Sequence, residues 1–131
     1  MQGKLYRILF VEDDLDTREL VSMVLELQGY QVVCAATYSQ ALELAQATAF
    51  DLYLLDNWLP DGNGIELCRQ IRSFDPHKPV IFFSAVAYDT DIKRALEAGA
   101  DDYITKPFDP YSLEQKVRCF ISTGLQFDKK D

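Results

Sequence analysis

Residues with reactive side chains stand directly after four of the apolar runs in this sequence. Glu12 and Asp13 follow the first run, Asp56 follows a later one, Ser84 ends another and Lys106 lies just beyond the last. Carboxylates crowded into one cleft repel each other, so one must be protonated or they must share a cation. Three acids with open positions suit Mg²⁺, which binds few protein ligands and keeps several waters. If these runs end close together, the set predicts a metal bound by acids, with a tetrahedral oxyanion held between the metal, the hydroxyl and the lysine.

The apolar runs themselves have the character of buried β-strands. They alternate with longer helical patterns, which indicates a parallel sheet with helices on both faces. No internal repeat, low-complexity tract or linker interrupts the alternation. The predicted strands are Tyr6–Val11, Gln31–Ala35, Leu52–Leu55, Val80–Ser84 and Tyr103–Ile104.

Five helices are predicted between and after these strands. The first ends at Gly29 and the fourth at Gly99, because glycine tolerates the left-handed conformation that follows many helices. Ser39 is the predicted N-cap of the second helix and Asp109 that of the fifth, where Pro110 takes the first helical position. The apolar face of the first helix is assigned to Leu20, Val21, Val24, Leu25 and Leu27.

Five such units with right-handed crossovers form a doubly wound α/β sheet. Its ligand site lies beyond the carboxyl ends of the strands, where the strand order reverses. The reactive residues all stand at those ends. With 131 residues, the chain has the length of one globular domain. We assign residues 1–124 to that domain and residues 125–131 to a C-terminal tail, which is either a linker remnant or a free end.

The composition restricts the partners and the compartment. A formal charge of −8 disfavours sequence-independent binding of nucleic acid and favours a cation or a basic partner. Cys34, Cys68 and Cys119 lie far apart in apolar surroundings and are predicted to be buried thiols, as suits a reducing compartment. No apolar run approaches the ~20 residues that span a bilayer, and acidic residues follow too early for a signal peptide. We therefore expect a soluble, cytoplasmic domain that contacts neither membrane nor nucleic acid.

Four motifs resemble the receiver domain of two-component response regulators. They are VEDD, LLDNWLPDGNG, FFSA and DDYITKPF, and they cover nearly the whole chain in the order and spacing of that family. The resemblance implies a flavodoxin-like fold similar to that of chemotaxis regulators, with five parallel strands in the order 2-1-3-4-5 and five helices.

The resemblance assigns roles to the acidic residues and to the loop after Asp56. It implies that Asp56 is the phosphoacceptor, that Asp13 and Asp56 bind Mg²⁺ (or Mn²⁺) directly and that Glu12 acts on the metal through water. Trp58 would supply its backbone carbonyl to the metal. Trp58 and Val86 occupy positions that tune the lifetime of the phosphoryl group, and since neither offers a group to orient an attacking water, we expect slow self-dephosphorylation.

The remaining reactive residues receive roles in phosphate binding and switching. By the same resemblance, Ser84 is the switch hydroxyl, Lys106 the lysine that contacts the phosphate and Tyr103 the aromatic switch. Pro107 would follow a cis peptide bond.

The function implied is that of a phosphoacceptor in a two-component system or phosphorelay. A phosphoryl group would pass from the histidine of a sensor kinase or histidine phosphotransfer protein to Asp56, and would switch the surface made by the fourth helix, fifth strand and fifth helix. A downstream effector domain or protein would read that surface, and dimerisation of the phosphorylated form is left open. The chain would catalyse its own phosphorylation and slow dephosphorylation without being an enzyme in the ordinary sense. Two alternatives are a docking module that needs no phosphorylation and an aspartyl-phosphate hydrolase of the haloacid-dehalogenase type, which would require an aspartate at Trp58.

Overall fold

A single parallel sheet with helices on both faces organises the chain. The computed structural model describes residues 5–85 and 88–130, with side chains described as far as residue 122. The sheet has five parallel strands in the order β2-β1-β3-β4-β5, as predicted. The elements are β1 (Arg7–Val11), α1 (Leu15–Leu27), β2 (Gln31–Ala35), α2 (Tyr38–Ala47), β3 (Leu52–Leu55), α3 (Gly64–Phe74), β4 (Val80–Ser84), α4 (Asp89–Glu97), β5 (Asp102–Thr105) and α5 (Pro110–Lys130).

Alternate residues of the central strands point into two separate cores. On one face, Tyr53 and Leu55 of β3 pack with α2, α3 and α4, and on the other, Leu52 and Leu54 pack with α1 and α5. All four of these residues are at most 1% exposed. This two-sided burial explains why β3 is a continuous apolar run and why its end is held rigidly.

Most of the predicted helix ends agree with the structure. Gly29 and Gly99 follow α1 and α4 with φ angles of 94° and 111°, which glycine adopts without strain. Asp109 accepts hydrogen bonds from the Tyr111 amide at 3.2 Å and the Ser112 hydroxyl at 3.0 Å, and α5 begins at Pro110. The helix continues to Lys130, so the boundary placed at residue 124 stays a prediction.

The predicted N-cap of α2 was wrong. The helix begins at Tyr38, and Thr37 is the cap because its side chain accepts the Gln40 amide at 3.1 Å. Ser39 lies in the first turn, where its hydroxyl donates to Asp61 at 2.7 Å. A carboxylate from a distant loop thus engages the hydroxyl that was expected to cap the helix.

Two predictions about buried side chains also need correction. Val21 and Leu25 of α1 are buried, but Leu20 is 44% and Leu27 is 78% exposed. Leu20 and Leu27 lie on a different face of the helix from Val21 and Leu25. Of the three thiols, Cys68 is buried and donates to the Ala98 carbonyl at 3.4 Å, Cys34 is half-buried and Cys119 is exposed on α5.

Among the residues that the structure describes, no helix combines the length and apolar character required to cross a membrane.

Candidate functional site

The carboxyl ends of β1 and β3 bring three acids together. One carboxylate oxygen from each of Glu12, Asp13 and Asp56 lies within 4.8 Å of the others. Glu12 and Asp56 are only 1% and 5% exposed, whereas Asp13 is open to solvent. Backbone hydrogen bonds fix the two buried acids, since the Glu12 amide donates to Ala35 and the Asp56 amide donates to Val11. An all-oxygen set with an open side fits Mg²⁺, which requires few protein ligands.

Lys106 bridges the two buried acids. Its ammonium donates to Glu12 Oε1 at 2.5 Å and to Asp56 Oδ2 at 3.3 Å. The Lys106 amide donates to the Ser84 carbonyl at 3.0 Å, which joins the end of β5 to the end of β4. The Lys106–Pro107 peptide bond is cis, as the resemblance implies. The lysine is therefore held over Asp56 rather than solvated.

The charges in this pocket are incompletely balanced. Burial raises the pKa of Glu12, the hydrogen bond from Lys106 opposes that rise, and the Asp56 carboxylate adds to it. Burial lowers the pKa of Lys106, but the hydrogen bond to Glu12 and the Asp56 charge outweigh this effect and raise it. One ammonium thus pairs with two of the three acids, so the pocket still favours a cation.

Ser84 and Tyr103 lie side by side beyond the acids. The Ser84 side chain is fully buried, and its hydroxyl is without a hydrogen-bond partner in the part of the chain that the structure describes. The Tyr103 ring stacks on Phe82 with a centroid distance of 5.8 Å and an interplanar angle of 9°. Burial raises the pKa of Tyr103; the Ser84 hydroxyl is near enough to oppose this rise, but it is not in hydrogen-bonding geometry.

The loop after Asp56 turns back through a short hairpin. Trp58–Leu59 pairs with Gly62–Asn63, and the Gly64 amide closes the loop by donating to the Asn57 carbonyl at 2.9 Å. A Cβ at Gly64 would lie 2.4 Å from the Asp56 carbonyl oxygen, so only glycine permits this close approach. The Trp58 side chain is 57% exposed, and its amide donates weakly to Asp56 Oδ1 at 3.4 Å. Val86 lies outside the described residues.

The burial of Asn57 and the capping role of Asp14 were not identified from the sequence, although Asp14 was expected to be peripheral to the site. Asn57 is 5% exposed, and its side-chain oxygen has no hydrogen-bond partner in the described part of the chain. Asp14 is the N-cap of α1 and accepts the Thr17 amide at 2.9 Å, so it does not join the other acids. Its capping role could have been recognised from its place before a helical pattern. The only signal for Asn57 was its polar side chain one position beyond Asp56.

The fold and the pocket define a class of protein. This is a doubly wound α/β domain with an acidic, lysine-bridged pocket at the carboxyl edge of its sheet, where such folds bind their ligands.

Comparisons with known proteins identify the family within that class. The family model for the response regulator receiver domain matches residues 8–118. The transcriptional regulatory protein CseB of Streptomyces coelicolor is 43% identical over 114 residues, which are 87% of the chain and 48% of that protein. The phosphate regulon transcriptional regulatory protein PhoB of Escherichia coli is 42% identical over 117 residues, which are 88% of the chain and 51% of that protein.

A solved structure agrees with these relatives. The CheY-like response regulator receiver domain protein from Methanospirillum hungatei superposes with a TM-score of 0.91 at 33% identity, covering 94% of the chain and 98% of that protein. The chain belongs to the response regulator receiver domain family of two-component systems. It spans about half the length of the curated relatives it matches.

Proposed function

We propose that the chain accepts a phosphoryl group on Asp56 from the phosphohistidine of a sensor kinase or histidine phosphotransfer protein. The observation that carries this proposal is the position of Asp56, which is buried beside two other acids and beside the Lys106 ammonium. A carboxylate is an effective nucleophile toward phosphorus when its surroundings neutralise the charge that develops on the phosphoryl oxygens.

The acids would hold a divalent cation. Asp13 and Asp56 would bind Mg²⁺ or Mn²⁺ directly, Glu12 would act through water, and Trp58 would offer its backbone carbonyl. When bound, the ion offsets negative charge on the phosphoryl oxygens. The cluster geometry supports the three acids of this donor set.

The transfer requires one bond to form and one to break. An Asp56 carboxylate oxygen attacks the phosphorus atom, the bond from phosphorus to the partner's imidazole nitrogen breaks, and that nitrogen keeps the electron pair and takes up a proton. Lys106 turns part of its hydrogen bonding from Glu12 toward a phosphoryl oxygen. The product is an acyl phosphate on Asp56.

The Ser84 hydroxyl couples this product to the surface. It has no hydrogen-bond partner among the described residues, so a phosphoryl oxygen within reach would satisfy it. Movement of this hydroxyl changes the space beside Tyr103, and the surface formed by α4, β5 and α5 then changes shape. A downstream effector domain or protein would read this surface in the cytoplasm. The two relatives are named transcriptional regulatory proteins, which supports a downstream effector that regulates transcription.

Phosphorylation by a small donor tests the proposal. Incubation with acetyl phosphate and Mg²⁺ should add the mass of one phosphoryl group to the wild type and to Asp16→Asn, a control on the exposed face of α1. Asp56→Asn should show no gain, and chelation of the metal should prevent the gain in the wild type. An unmodified wild-type protein, or an Asp56→Asn variant that still gains the mass, would overturn the proposal.

A further inference from the structure

A carboxylate from the loop beyond Asp56 holds the start of α2. Asp61 Oδ1 accepts the Tyr38 amide at 2.6 Å, and Asp61 Oδ2 accepts the Ser39 amide at 3.1 Å and the Ser39 hydroxyl at 2.7 Å. Both carboxylate oxygens are therefore engaged by one helix end. The hydrogen bonds from Ser39 and Tyr38 hold the pKa of Asp61 below its usual range, so the group is charged at neutral pH.

The helix lacks other means to satisfy these donors. The first amides of a helix have no partner within it, and Thr37 accepts only the amide of Gln40. No acidic residue lies in the first turn of α2. Asp61 thus supplies both the missing acceptors and the negative charge that favours a helix N-terminus. Such a tether is stronger than a contact between two flexible side chains, because two of its donors are backbone amides.

The same tether fixes the tip of the hairpin that begins at Trp58. Asp61 stands directly before Gly62, and Gly62 pairs with Leu59 within the hairpin. The hairpin also packs closely on α2, since a Cβ at Gly62 would lie 2.9 Å from the Tyr38 ring. The other end of the hairpin is fixed by Asp56 at the end of β3. The backbone around Trp58 is therefore held from both sides.

We propose that Asp61 is a positioning residue for the metal site, because its attachment to α2 sets the orientation of the Trp58 backbone carbonyl. This inference rests on the proposed function, in which that carbonyl is a metal ligand. Residues that orient metal ligands through hydrogen bonds contribute to affinity although they do not touch the ion. Asp61 touches neither the ion nor the phosphoryl group in this arrangement.

The chain offers a matched control. Thr37→Ala removes a hydrogen bond from the same helix end but leaves the hairpin attached, whereas Asp61→Ala weakens the helix end and releases the hairpin. Trp58 is the only tryptophan in the chain, so its fluorescence reports Mg²⁺ binding without an added label. We expect Asp61→Ala to raise the Kd for Mg²⁺ about tenfold, the lower end of the usual effect for such orienting groups. Thr37→Ala should change the Kd by less than about twofold, since Thr37 bonds only within α2.

A second measurement separates positioning from general destabilisation. Hydrogen exchange of the Gly64 amide, which donates to Asn57 and closes the loop, should accelerate in metal-free Asp61→Ala and stay at the wild-type rate in Thr37→Ala. Asp61→Asn keeps a carbonyl acceptor and should fall between wild type and Asp61→Ala in both measurements. It carries the test if Asp61→Ala does not fold.

The outcomes distinguish this inference from the proposed function. A wild type whose fluorescence shows no saturable response to Mg²⁺ would overturn the proposed metal site and the role of Asp61 with it. Two results would overturn the role of Asp61 alone, provided that the wild type binds Mg²⁺. In the first, the Asp61 variants bind Mg²⁺ as tightly as the wild type; in the second, Thr37→Ala weakens Mg²⁺ binding as much as Asp61→Ala does.

Discussion

Replacing Lys106 with alanine should destabilise the domain, because two buried carboxylates would lose their shared partner. The side chains of Glu12 and Asp56 are 1% and 7% exposed, and the lysine between them is 19% exposed. Removing one member of a buried ion pair costs about 3–5 kcal/mol, since the charge left behind stays desolvated. Water reaches the Lys106 side of the pocket, so we expect about 3 kcal/mol, the lower end of that range. For a domain of this size the midpoint of thermal unfolding should fall by about 10 °C.

The size of this loss should depend on pH. The pKa of Glu12 in the folded protein is already raised above its ordinary value of 4.5, with burial as the main cause. Its favourable contribution is therefore fully present below pH 4.5 and is lost as the pH rises through the raised value. Without the opposing hydrogen bond from Lys106 that pKa rises further. The deficit of Lys106→Ala relative to wild type should thus be small in acid and grow toward neutral pH.

Urea unfolding of both proteins across this pH range measures the deficit. Lys116→Ala is the control, because Lys116 pairs with Asp102 at 2.6 Å but is 45% exposed, and loss of such a surface pair costs at most about 1 kcal/mol. Millimolar Mg²⁺ should stabilise Lys106→Ala more than wild type, since the cation replaces the missing charge. The reasoning fails if Lys106→Ala loses no more stability than Lys116→Ala at neutral pH, or if its deficit does not shrink in acid.

Three further substitutions test the parts of the site around Asp56. Trp58→Asn should shorten the lifetime of the phosphoryl group, measured by release of phosphate, because asparagine can orient a water that tryptophan cannot; a wild-type half-life of seconds, or one unchanged in the variant, would contradict this. Ser84→Ala should still be phosphorylated but should abolish the change in Tyr103 environment, followed by the NMR signals of its ring; a change that persists would show that another group drives the switch. Gly64→Ala should cost about 2 kcal/mol in urea unfolding, as is typical of overpacking, because its Cβ would lie 2.4 Å from the Asp56 carbonyl oxygen; a stability equal to wild type would exclude that contact.

The strands were predictable to within one residue at each end. Three predicted strands, Gln31–Ala35, Leu52–Leu55 and Val80–Ser84, agree with the structure at both ends. Helix starts were less predictable, as α2 illustrates. Thr37 and Ser39 are both good caps by type, and the choice between them depends on Asp61, which lies 22 residues from Ser39 along the chain. Local sequence carries no information about that contact.

The location of the site was predictable because parallel strands end at the same edge of a sheet. Residues that follow β1, β3, β4 and β5 must therefore converge, whatever their roles. Their relative burial was not predictable. Glu12 and Asp13 are adjacent in sequence, yet one is 1% exposed and the other is open to solvent. The backbone bond from Glu12 to Ala35 extends the sheet by one residue, so Glu12 points inward and Asp13 outward. The bridge from Lys106 follows from that inward position.

The pocket combines two features that a protein selected for stability alone would avoid. Three acids lie together while one ammonium pairs with two of them, and Ser84 buries a hydroxyl that no described residue satisfies. Buried polar groups without partners are rare in folded proteins and destabilise the state that contains them. A divalent cation would relieve the first cost and a phosphoryl oxygen the second, so both ligands would bind a state that is already unfavourable without them. A ligand shifts a two-state equilibrium only by its differential affinity for the two states. The unpaired charge and the unsatisfied hydroxyl of the unmodified domain would supply that difference. They would therefore let a single phosphoryl group change the surface of α4, β5 and α5.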